Sequence, residues 1–230
     1  MYCHLDHQKI IGTLEALHKR IEERFSRSGL SKISLELLKI GKEARERCLW
    51  ISRPHWNLRL IVYAVIGVMA VSFIMALISL DLPHNKLSFA EFVQVFEAGI
   101  NDLVYIGAAV IFLITVENRN KRKKVLQLIH ELRSVAHVID MHQLTKDPEV
   151  LLTHYQGTAS SPQRSMSAFE LERYLDYCSE MLSLTSKIAA LYVQDFNDSA
   201  AVESVNEIES LTNGLSRKIW QKISILHAYK

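Results

Sequence analysis

The side chains best suited to chemistry fall in one stretch, His130-Glu131-Leu132-Arg133-Ser134-Val135-Ala136-His137-Val138-Ile139-Asp140. On a helix, at about 100° per residue, His130, Arg133, His137 and Asp140 share one flank beside an apolar face. Two imidazoles with a carboxylate and a guanidinium make a set for acid–base work or metal binding. Imidazole titrates near neutral pH and is the commonest metal ligand. The spacing is not that of a zinc helix, which places two histidines at i and i+4 with a Glu between them. The bland alternative is a half-buried polar flank whose members pair along the helix, Arg133 with His137 and His137 with Asp140. No metal ligand set is assigned on this basis, and no cofactor is expected.

A second set is Asn101 and Asp102, which stand inside the second apolar segment, uncharged from Leu103 to Val116 and reaching outward to about Glu97. Polar and ionisable groups at membrane depth are costly and mark function by default. Their alternative is an outward slide of the helix, or an Asp102 that reaches the headgroups. A third set is the basic run Arg119, Lys121, Arg122, Lys123 and Lys124. It suits anionic lipid headgroups and equally serves as a topology signal. The three cysteines, Cys3, Cys48 and Cys178, form no CxxC pair, which argues against a zinc site or disulfide framework. Phosphate-binding loops, nucleophile elbows and kinase signatures are absent.

The Arg133–His137 pair resembles the Arg…His pattern of HEPN ribonucleases, an all-helical family. Only three residues intervene here, fewer than that pattern requires, and no second match occurs, so the resemblance implies no residue roles.

These groups must be positioned by helices. Four prolines and eight glycines in 230 residues supply too little turn chemistry for a many-stranded β protein. A net charge of +2 is too small to point to nucleic acid. The mean hydropathy of +0.06 averages very different parts. Leu60–Leu80 carries no charge over 21 residues. About 20 helical residues at about 1.5 Å each cross a hydrocarbon core roughly 30 Å thick. The second apolar segment ends at Val116, and counting about 20 residues back places its outer end near Glu97. Lys and Arg number five in residues 40–59 and six in 117–136, against one in 81–102. That asymmetry predicts cytoplasmic termini and an external connection. Ser88 with Glu91 predicts a helix start, and one long helix from about Phe89 through the second span to about Leu144.

Both chain ends read as amphipathic helices. The expected stripes are Ile11, Leu14, Leu17, Ile21 and Phe25, then Ile33, Leu37, Ile40 and Ala44. After the spans come Val125, Leu128, Ile129, Leu132, Val135, Ala136 and Ile139. Residues 155–166 read as a linker, and Ser167 with Glu170 as a capping box. Leu171, Leu175, Cys178, Leu182 and Ile188 follow, then Val205, Ile208, Leu211, Leu215 and Ile219 on a last helix. Gly214 inside that helix predicts close helix packing there, with a functional kink as the alternative.

The expectation is therefore an all-α integral membrane protein of the cell (inner) membrane. Its divisions are N-terminal cytoplasmic helices over 1–57, a first span over 58–80, an external connection over 81–96, a second span over 97–116 and a cytoplasmic helical region over 117–230. Both chain ends form one bundle that assembles with further copies or docks a membrane or cytoplasmic protein, as an oligomeric channel or signalling component; the alternative is a membrane-tethered, metal-dependent hydrolase or nuclease-like enzyme using the His130, Arg133, His137 and Asp140 flank. The partners expected are the lipid bilayer and protein, with no nucleic acid.

Overall fold

The computed structural model describes residues 4–54, 56–79, 89–148, 159 and 166–228. Ser88 of the expected capping box, the connection near residues 82–88, Cys3, and all of the 155–166 linker except Ala159 and Met166 lie outside them. The described residues form six α-helices and no strand, as the scarcity of turn residues predicts. They are α1 (His7–Arg24), α2 (Gly29–Ser52), α3 (Trp56–Ser79), α4 (Phe89–Leu144), α5 (Ala168–Val193) and α6 (Ser199–Ala228). The single helix expected from Phe89 to Leu144 is present with those limits.

The chain divides into two compact units, Met1–Ser52 with Arg122–Lys230, and Arg53–Lys121. The first is a helical bundle. Its core draws Leu14, Leu17 and Ile21 from α1, Leu37, Ile40 and Ala44 from α2, Leu128, Leu132 and Ile139 from α4, Leu175, Met181 and Leu182 from α5, and Ile208, Leu215 and Ile219 from α6. Each aliphatic side chain so buried is worth about 1.5–3 kcal/mol, which explains why marginal amphipathic helices hold their positions.

Local signals set the helix ends. The Asp6 Oδ1 accepts the amides of Gln8 and Lys9 at 2.9 and 3.4 Å, capping α1. Ser167 and Glu170 form the reciprocal box that opens α5. Between α1 and α2 the chain reverses through Arg27, whose φ of 57° is left-handed, and the Ser28 Oγ then accepts the Ser31 amide at 3.1 Å. Gly29 follows because a Cβ there would collide with the His142 ring from the end of α4. At that end the Lys222 Nζ donates to the Gln143 carbonyl at 2.8 Å, satisfying one of the orphan acceptors of the helix terminus.

One expectation fails. Gly214 does not mediate close packing: it is exposed, and a Cβ added there meets nothing within 4 Å. Its stripe neighbour Leu215 faces the core, and the glycine lies one residue round the helix, toward solvent.

The second unit holds α3 and the first part of α4. Among the described residues, one helix is long and apolar enough to cross a membrane, α4 from Gly99 onward, with a most apolar window of mean hydropathy 1.9 that is wholly unburied. The described side chains of α3 make a shorter apolar run, Arg59–Ser72. Half-buried positions in this unit are Arg59, Val62, Ile66 and Met69 on α3, and Gly99, Asp102, Ile106, Ala109, Leu113 and Val116 on α4. Steps of three and four are the spacing of helices lying side by side along a narrow seam. Every other described apolar side chain of the pair is exposed, including Leu103, Ile111 and Phe112.

Candidate functional site

At Glu117 the second unit turns from apolar to charged. Glu117 is only 6% exposed. Its Oε1 lies 2.9 Å from the Lys121 Nζ, one helical turn on, and its Oε2 lies 3.5 Å from the Arg59 Nε of α3. A buried ion costs several kcal/mol unless partners compensate it. Here one partner comes from each helix, so the triad fixes α3 against α4 at this level.

In the bundle, Arg122 makes a forked contact with Asp198. The Arg122 Nε donates to both carboxylate oxygens at 3.0 and 2.8 Å, and Nη2 donates to Oδ2 at 2.6 Å. Asp198 stands at the start of α6 and accepts the Ala201 amide at 3.1 Å. Burial pushes its carboxyl up, but the Arg122 guanidinium and the Ala200 and Ala201 amides outweigh burial and hold it below the usual carboxylate range. Asn197-Asp198-Ser199 is legible in sequence as a helix break, but its Arg122 partner is not: the two residues are 76 apart.

The basic run is thus not uniform. Lys121 is buried against Glu117 and Arg122 is engaged by Asp198, while Arg119, Lys123 and Lys124 are exposed. Three of the five expected headgroup ligands present their charges outward.

Asn101 and Asp102, adjacent in sequence, are separated by the helix. Asp102 lies half-buried on the seam, between Gly99 and Ile106. Asn101 is exposed, away from the seam.

On the His130 flank, Arg133 does not pair with His137. Its Nη2 donates to the Glu207 carboxylate of α6 at 2.5 Å. Asp140 accepts from the Gln143 Nε2 at 2.6 Å. His130 and His137 are exposed. The structure therefore brings Arg133 and Asp140 to different partners. Among the described residues no group of three or more His, Cys, Asp or Glu side chains gathers closely enough to hold a metal ion.

The same stretch contributes a residue that pattern reasoning passed over. Glu131 accepts from the Arg47 Nη1 at 2.6 Å, while the Arg47 Nη2 donates to Glu43 at 2.5 Å. The Glu43–Arg47 spacing is a legible i,i+4 pair, whereas Glu131 is 84 residues away. Tyr192 is buried beside this node, and burial, offset in part by Arg47, raises its phenol to about 12. Burial also raises the Cys178 thiol to about 12 and the Cys48 thiol to about 11, so both stay protonated at neutral pH and lack thiolate character. The Arg47 node braces α2 against α4, with the protonated Cys48 thiol beside Tyr192.

No family model, curated protein or solved structure matches this chain.

Proposed function

We propose that this chain is an integral membrane protein that crosses the bilayer twice through α3 and α4, keeps its helical bundle on the cytoplasmic side, and works by assembling with further copies of itself. The observation that carries the reading is the uncovered apolar helix: the most apolar window of α4 has a mean hydropathy of 1.9 and none of it is buried. Soluble monomers rarely expose contiguous apolar surface on this scale, and lipid is the solvent that suits it. The uncharged Leu60–Leu80 segment is long enough to be the other limb. The excess of Lys and Arg in residues 40–59 and 117–136 supports a cytoplasmic bundle. A single pair of helices encloses no pathway, so any transport requires several copies.

The test has two parts. The full chain, expressed in bacteria, stays in the membrane fraction after alkaline carbonate extraction, and in nanodiscs its mass exceeds one copy. Release into the soluble fraction overturns the membrane reading, and a strictly monomeric mass overturns self-assembly.

A further inference from the structure

Three faces can be distinguished on the apolar part of α4. The seam carries Gly99, Asp102, Ile106, Ala109, Leu113 and Val116. A second face carries Phe96, Ile100, Leu103, Val110 and Ile114, all exposed and all apolar, as lipid requires. The third is different. At about 100° per residue, Gln94, Glu97, Asn101, Thr115 and Arg119 fall within an arc of about 60°, with Ala108 and Phe112 between the polar groups. All seven are exposed.

We infer that this third face is where a second copy of the chain packs. The inference rests on the two-span reading above. With Val116 at the inner boundary and about 1.5 Å per residue, Glu97 lies about 28 Å away, at the outer edge of a core roughly 30 Å thick, and Asn101 about 22 Å away. Glu97 can meet water, but Asn101 cannot. In hydrocarbon an amide needs a partner of its own kind. The chain's own α3 does not supply it, because α3 lies along the seam and Asn101 points away from it. Thr115 is satisfied within its helix, its Oγ1 donating to the Ile111 carbonyl at 2.8 Å. Asn101 has no such bond among the described residues, and its carboxamide is both donor and acceptor. A symmetry-related Asn101 is therefore self-complementary, which favours a second copy over an unrelated helix. Ala108 lets the backbones approach below it, as small residues do at membrane helix interfaces. Phe112, 70% exposed in the single chain, then packs about 6 Å from the inner boundary.

The test is disulfide crosslinking in native membranes, with the full chain freed of its cysteines at Cys3, Cys48 and Cys178. Single cysteines replace Ala108 or Phe112 on the third face, with Asn101 kept, and Leu103 or Val110 on the lipid face. Oxidation is expected to trap dimers at the first two positions and not at the second two. Equal trapping at all four positions, or trapping only at the lipid face, overturns the inference, as does a crosslinked band of any other mass. In a cysteine-containing background, Asn101→Leu is expected to remain carbonate-resistant and to lose the oligomeric mass in nanodiscs; an unchanged mass overturns the inference. Carbonate extraction of each preparation reports separately on the membrane reading, so failure of the face and failure of the spans are distinguishable.

Discussion

The two units solve the same problem in opposite ways. In the bundle, every helix turns its apolar stripe inward, and Leu17, Ile21, Leu37, Leu132, Leu175 and Ile219 are all but inaccessible. In the pair formed by α3 and the first part of α4, only a narrow seam is shielded, and Leu103, Ile111 and Phe112 stay open. Their polar groups differ in the same way. The bundle spends its charges on contacts between helices distant in sequence, Arg47 with Glu131, Arg122 with Asp198 and Arg133 with Glu207. Among its described residues, the pair carries an ion triad around buried Glu117 and Lys121 at its charged end and leaves its other polar side chains exposed or on the seam. The bundle closes its own core; on the proposed reading, lipid and a second copy cover the pair.

The largest expected effect lies in the bundle core. Leu215→Asp places an unpaired carboxylate where the leucine is 6% exposed, at a cost of several kcal/mol, and is expected to unfold the bundle. Ser216→Asp, one residue round the helix at a half-buried position, is expected to be far milder. Equal thermal shifts would reject the face assignment. Next in size is Glu117→Ala, which strands a buried Lys121 and is expected to cost about 3–5 kcal/mol. Thermal melts in detergent check this, and a change below about 1 kcal/mol would show that the triad is solvated.

Smaller again is Asp198→Ala, which removes a cap worth about 0.5–2 kcal/mol. Arg122 is partly exposed, so the ion pair itself adds little in salt. Because the folded state holds the Asp198 carboxyl below its ordinary value, its contribution is fully present above the unfolded pKa of about 3.9 and is lost as the pH falls through the lower, folded value. Acid titration of stability is expected to show that loss in the wild type and not in Asp198→Ala. The smallest effect belongs to His137→Ala at an exposed position, expected within about 0.5 kcal/mol by chemical denaturation. Elemental analysis of purified wild type tests the enzymatic alternative for the same flank. Stoichiometric metal that is lost in His137→Ala would revive it.

Much of this architecture is legible because it is periodic. All seven residues of the stripe from Val125 to Ile139 are buried, and α4 has the limits that the Phe89 and Leu144 boundaries predict. Short-range capping is legible for the same reason: Ser167 and Glu170 are three apart, and their geometry is decided within one turn. Long-range partners are not. Nothing local tells Arg133 to choose Glu207 over His137, or Arg122 to choose Asp198, because those choices depend on how helices dock. Gly214 misleads for a related reason. A glycine signals close approach only on a face that meets a neighbour, and one residue's rotation toward solvent removes the neighbour. Asn101 and Asp102 show the limit most clearly, since adjacent polar residues fall on different faces once the seam is known.

In the proposed topology the chain crosses a membrane twice and both chain ends lie on the same side. The most direct measurement is single-cysteine accessibility in intact cells, with cysteines placed at Asn85 and at Ser160 in the full chain freed of its own three. An impermeant maleimide is expected to label position 85 in intact cells and position 160 only after permeabilisation, as the distribution of Lys and Arg around the apolar segments requires. Protection of position 85 together with labelling of position 160, or identical behaviour of the two positions, would contradict the account.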